Sequence, residues 1–98
     1  MITEIAQITI DPANAAAFEA AVAEAAPAFK GAEGCHGMSL ERIVEDPAQY
    51  RLMVRWASVD AHMAFRATPA FQTWRGLAGP FFAAPPVVVH SAETQRYF

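Results

Sequence analysis

The chain has 98 residues, 54% hydrophobic and 17% charged, with a net charge of −3, which bounds it to one domain spanning 1–98 with a heavy apolar load for its surface. Its seven basic residues are scattered rather than striped, so nucleic acid is not an expected partner. No apolar run approaches the ~20 residues of a membrane span, the first residues lack signal-peptide character, and the lone Cys35 leaves neither an intrachain disulfide nor a cysteine zinc cluster, so a cytoplasmic protein is expected, with part of its apolar surface turned to another subunit.

Ile2 to Ile10 is rich in β-branched residues, with Ile2, Ile8 and Ile10 on one parity and Ile5 on the other. It predicts a strand covered in part on both faces. Asp11-Pro12 then combines a capping carboxylate with a proline suited to the first helical position. Phe18, Val22, Ala25 and Phe29 follow at spacings of four, three and four, a single helical stripe. Pro27 removes a helical hydrogen bond, which predicts a kink or an end near Ala25.

Gly31 to Gly37 reads as a connector. Met38–Val44 and Tyr50–Trp56 read as strands joined by turn chemistry at Glu45–Ala48, hence an antiparallel hairpin. In the second of these, Tyr50, Leu52, Val54 and Trp56 share one face, and Arg51, Met53 and Arg55 the other. Ser58 caps a short helix to about Ala67, and Thr68-Pro69 starts another to about Leu77. Gly79-Pro80 stops it. Pro85-Pro86 introduces Val87–His90, a last strand, and the tail ends in Tyr97-Phe98, a pair that would dock on a partner. The order β-α-β-β-α-β, its second helix broken in two, is the α+β ferredoxin-like arrangement with a four-stranded antiparallel sheet. Helices cover one face of such a sheet; the other face is too apolar for water, which predicts two sheets packed face to face in a homodimer.

Several features together resemble the antibiotic biosynthesis monooxygenase (ABM) domain family. They are Gly34-Cys35, Glu45-Asp46-Pro47 followed by Tyr50, Trp56-x-Ser58-x-x-Ala61-His62, Phe65-Arg66, Phe71, Trp74 and Pro86-Val87. The resemblance spans nearly the whole chain. It implies a dimeric α+β barrel of two ferredoxin-like subunits. It also implies an oxygenase acting on aromatic quinols or polycyclic polyketides without metal, flavin or other cofactor. Fold transfers across such a family more safely than chemistry.

Oxygenation without a cofactor needs a substrate that donates an electron to O2 as its phenolate or enolate. The protein must bind the aromatic, take a proton, stabilise the anion and exclude water. Trp56, Phe65, Phe71, Trp74, Phe81 and Phe82 are candidate walls for such a pocket, or else plain core. His62 is the acid-base candidate, one helical turn from Arg66, whose cation would stabilise an oxyanion; the alternative is a surface His-Arg pair. His90 faces either the pocket or the dimer seam. Gln7 stands where some relatives carry a pocket-facing amide, or is an ordinary polar strand residue. For Arg42, Arg51 and Arg55 the expectation is ion pairs with Glu4, Glu41 or the partner chain. Arg75 either reaches a ligand or caps its helix end. His36 is expected in solvent and Cys35 buried and inert.

Two rival readings remain. A non-catalytic dimer binding a small apolar ligand would need the same pocket. The haem-degrading branch of the superfamily carries a helix histidine about ten residues beyond the strand-three tryptophan and an asparagine on strand one. Here those places hold Arg66 and Gln7, with His62 four residues short, so haem degradation is disfavoured.

Overall fold

A computed structural model describes residues 1–98. The strands are β1 (Ile2–Thr9), β2 (Cys35–Arg42), β3 (Gln49–Trp56) and β4 (Val87–Ser91), and the helices α1 (Ala15–Lys30), α2 (Val59–Arg66) and α3 (Pro69–Ala78). The sheet order is β2-β3-β1-β4 with every neighbouring pair antiparallel. This is the ferredoxin-like arrangement expected from the element order.

Alternation decides which side chains enter the core. On β3, Tyr50, Leu52, Val54 and Trp56 are all at most 1% exposed, and on β1 Ala6 and Ile8 are buried on the same face. The α1 stripe Phe18, Val22, Ala25 and Phe29 lies over them. Phe18 meets Tyr50 edge-on at 4.9 Å, and Phe29 touches Phe65 at 4.8 Å and Trp74 at 5.3 Å. Full burial of one such phenylalanine stabilises the fold by about 2–3 kcal/mol.

Three boundaries differ from the sequence reading. Helix α1 runs on to Lys30 with Pro27 inside it, because Phe29 at its far end is anchored between Phe65 and Trp74; core packing outweighs one lost backbone hydrogen bond. Asp11 does cap, accepting from the Ala13 amide at 3.0 Å, but it starts a single 3-10 turn at Pro12–Asn14 that leads into α1. Strand β2 begins at Cys35 and stops at Arg42, shifted towards the N-terminus, with a bulge between Cys35 and Gly37. Gly34, at φ +80°, makes the sharp entry into β2, and a Cβ there would lie 2.8 Å from the Ala61 Cβ. Glycine thus serves both the left-handed turn and the close approach of α2.

The break between α2 and α3 is built from Thr68. Its hydroxyl donates to the Phe65 carbonyl at 2.6 Å and accepts from the Phe71 amide at 3.3 Å, tying the end of one helix to the start of the next. Ser58 caps α2 through the Ala61 amide at 3.1 Å. The face of the sheet away from the helices carries Thr3, Ile5, Gln7, Arg51, Met53, Arg55, Val87 and Val89 by register. Val87 and Val89 are 62% and 53% exposed there.

Candidate active site

A cavity of about 580 Å³ opens between the helix-covered face of the sheet and the α2–α3 pair. Its floor is Glu4, Ala6 and Ile8 of β1 with Leu52 of β3. His62 and Arg66 of α2 and Phe71, Trp74 and Arg75 of α3 form one wall, and Phe82 to Pro86 with Val88 the rim. Ala6, the smallest floor residue, leaves room between Glu4 and Ile8.

The closed end holds a buried polar chain. Glu4 and His62 are 6% and 3% exposed, the two buried polar or charged residues of the protein. The Trp56 indole N–H donates to Glu4 Oε1 at 3.0 Å, and His62 Nε2 lies 3.2 Å from the same oxygen. On the far side of the imidazole, Nδ1 is 2.7 Å from Nε2 of His90. The sheet register explains the convergence. Glu4 stands opposite His90 on β4, and Trp56 is its diagonal neighbour on β3, since Glu4 pairs with Val54. Being on a central strand, Glu4 receives groups from both flanking strands and from α2 above.

Glu4 and His62 are both displaced for a physical reason. Burial raises the Glu4 carboxyl above its ordinary range, opposed by the Trp56 hydrogen bond and the Arg66 charge. Burial, with the His90 and Arg66 charges, lowers His62 to about 4. His62 is therefore neutral at pH 7 and carries one ring proton. With Glu4 ionised, every contact is satisfied when His62 Nε2–H points to Glu4 and its Nδ1 accepts from His90 Nε2–H, an assignment made from the hydrogen-bond pattern. The imidazole also stacks on the Trp56 indole at 5.3 Å and 20°. Glu4 Oε2 takes no hydrogen bond within the protein, and no fully buried polar side-chain atom lacks a partner. That oxygen is open to the cavity, a vacant acceptor beside a neutral imidazole.

The structure places the residues singled out by sequence in different surroundings. His62, Arg66, Phe71, Trp74 and Phe82 line the cavity together. His90 reaches it through the His62 ring nitrogen. Trp56 and Phe65 are core, at 0% and 3% exposure, although Trp56 acts on the site by holding Glu4. Phe81 packs edge-on against Phe18 at 6.0 Å, away from the cavity. Gln7 points to the opposite face of the sheet, where its amide meets Gln49 at 3.5 Å; its odd place in the alternation carries it away from the pocket. The expected ion pairs of Arg42, Arg51 and Arg55 with Glu4 or Glu41 do not form. Arg42 instead donates to the Pro47 carbonyl at 2.9 and 3.1 Å. His36 is exposed, and Cys35 is half-buried with its thiol pushed up by burial.

Glu4 is the functional candidate that sequence reasoning missed. A signal was present: it shares the parity of Ile2, Ile8 and Ile10, and a lone carboxylate on the apolar parity of a strand has to find a partner.

Comparison with known proteins agrees with the fold. The sequence model of the antibiotic biosynthesis monooxygenase family matches residues 1–77. A Bordetella bronchiseptica protein whose crystal structure carries that family name is 48% identical, covers 96% of this chain and 97% of its own, and superposes with a TM-score of 0.93. YczJ of Bacillus subtilis, an uncharacterized protein, is 32% identical over 92% of this chain and 96% of its own. SnoaB, a cofactor-independent oxygenase from Streptomyces nogalater, shares the fold with a TM-score of 0.79 at 20% identity, covering 98% of this chain and 95% of its own.

Proposed function

The chain belongs to the antibiotic biosynthesis monooxygenase family, and on that premise we propose that it is a cofactor-independent monooxygenase oxidising an aromatic quinol or polyketide-like substrate with O2. The observation that carries this reading is the buried Glu4–His62 pair at the closed end of an aromatic-walled cavity. SnoaB is a cofactor-independent oxygenase on the same fold, which makes the chemistry compatible with this architecture.

The substrate lies against Phe71, Trp74 and Phe82 with its acidic hydroxyl towards Glu4. The carboxylate takes the proton at Oε2, its basicity raised by burial, and His62 holds the other oxygen in place. The resulting phenolate passes one electron to O2, and the two radicals combine to a peroxide. For an anthrone-type methylene, the peroxide loses water, so that CH2 and O2 become C=O and H2O. The Arg66 guanidinium, at the wall of the same cavity, stabilises the anion. His62 has both nitrogens engaged, by Glu4 and His90, and so presents no free ring nitrogen to a haem iron. The exposed valines of the open sheet face support a homodimer packed sheet to sheet.

Oxygen uptake against a panel of hydroquinones and anthrones tests the reading. Turnover is expected in the wild type, with a loss of about 10²-fold or more in His62→Ala and in Glu4→Gln. Turnover untouched by either substitution removes the pair from the mechanism. Tight binding of the panel without oxygen uptake favours a non-catalytic binder of small apolar ligands.

A further inference from the structure

The proton chemistry leaves one cavity-lining charge unused. Arg66 and Arg75 both line the cavity, and their guanidinium carbons lie 5.8 and 5.9 Å from the centroid of one ring, Phe71. Neither is in an ion pair. Arg96 pairs with Glu93, and Glu4 meets the neutral imidazole of His62 rather than an arginine. Each arginine occupies the last turn of its own helix, α2 and α3, where a cation is favoured by the helix dipole. The dipole accounts for each arginine separately, not for their meeting at one aromatic ring. That meeting comes from Thr68, which locks the end of α2 to the start of α3.

The charged lining of the cavity is therefore Glu4 at the closed end and two arginines about Phe71. His62 is neutral there at pH 7. A substrate phenolate accounts for one cation. The second, Arg75, has no carboxylate within ion-pair distance, and no acidic residue other than Glu4 lines the cavity. We propose that the ligand is a hydroxylated aromatic acid, whose ring packs on Phe71 and Trp74 and whose carboxylate is received by Arg75, Arg66 being left to the phenolate. A planar carboxylate matches the guanidinium fork, which can offer two parallel N–H donors. The aromatic body fits the apolar walls, while the fixed charge at one end orients the hydroxyl towards Glu4. The proposal rests on the cavity being the substrate site, but not on the oxygenation chemistry.

The test is binding under argon, read by quenching of tryptophan fluorescence, since Trp74 lines the cavity. The probes are 6-hydroxy-2-naphthoate and 2-naphthol, which share the hydroxylated ring and differ in a carboxylate at the end of the molecule opposite the hydroxyl. At low salt the acid is expected to bind about ten-fold more tightly, and the advantage to shrink several-fold in Arg75→Gln or at high salt. The readout is the ratio of the two affinities, so a general change in cavity shape cancels. A ratio near one, a ratio unchanged in Arg75→Gln, or no binding of either probe overturns the proposal. Circular dichroism of Arg75→Gln checks that it is folded. Absence of oxygen uptake with the carboxylate preference intact would refute the oxygenase reading and leave the arginine site standing.

Discussion

His62→Gln makes the electrostatic reasoning measurable. In the folded chain His62 is lowered from 6.5 to about 4, whereas in the unfolded chain it titrates normally. Between those values the unfolded state holds a proton that the folded state does not, so the imidazole contributes stability that is complete above 6.5 and lost as pH falls through about 4. The full displacement is worth about 3 kcal/mol, of which about 2.5 kcal/mol is gone by about pH 4.5. Glutamine does not titrate. At pH 7 the variant should be less stable by about 2 kcal/mol, through loss of the Trp56 stack and the His90 contact. On acidification the wild type should lose its lead and fall level or behind. Urea unfolding from about pH 7.5 to about pH 4.5 reads this as a relative midpoint shift of about 2 M for a chain of this size. Glu4 is present in both proteins, so its own titration largely subtracts. A stability difference constant within about 0.5 kcal/mol across that range would show that His62 is not held neutral by its surroundings.

Glu4 should behave in the opposite sense. Its pKa is raised, so its stabilising contribution is complete below 4.5 and lost as pH rises through the folded value; Glu4→Gln should therefore gain on the wild type from acid to neutral pH in the same unfolding experiment, and a gap that narrows instead contradicts the assignment. Glu4→Ala, unlike Glu4→Gln, strips the Trp56 indole of its acceptor, and should cost about 1–3 kcal/mol at neutral pH. Gly34→Ala forces a left-handed residue and a Cβ at 2.8 Å from Ala61, and should destabilise by about 2 kcal/mol or more in thermal unfolding; a wild-type melting temperature would show that α2 moves aside freely. Val89→Glu places a charge on the open sheet face opposite Ile5, and sedimentation velocity should show a dimer in the wild type and dissociation in the variant at matched concentration. A monomer in both removes the sheet-to-sheet barrel.

Where one physical rule dominates, the sequence was sufficient. The alternation of Tyr50, Leu52, Val54 and Trp56 placed β3 correctly, and the Phe18–Phe29 stripe placed α1 over it, because burial leaves each pattern one solution. The Ser58 and Thr68 caps marked both helix starts for the same reason. Pro27 misled because its local cost was weighed without Phe29, whose neighbours come from α2 and α3, far along the chain. For Gln7 the sequence allows a pocket amide or an ordinary strand residue, and its parity, which turns it to the other face, fits the second. For the site, His62 and Arg66 were legible as a helical pair, while their partners were not. Glu4, Trp56 and His90 are joined to His62 by strand register, which depends on pairing across 52 residues between Glu4 and Trp56.

That register also explains why the site can be both buried and reachable. A carboxylate on an edge strand would be wet and ordinary. On β1, flanked by β3 and β4, Glu4 is enclosed from both sides, which raises its proton affinity and exposes Trp56 and His90 to it. Enclosure alone would give a sealed hydrogen-bonded pair with no chemistry. The interruption of the second helix at Ala67–Thr68 and the small Ala6 in the floor leave the cavity that keeps Glu4 Oε2 accessible. Stability and reactivity are therefore opposed at one residue: the burial that makes Glu4 a stronger base is the same burial that makes the folded chain less stable as pH rises. A Glu4→Gln protein that is more stable at neutral pH and inactive in oxygen uptake is what such an opposition requires.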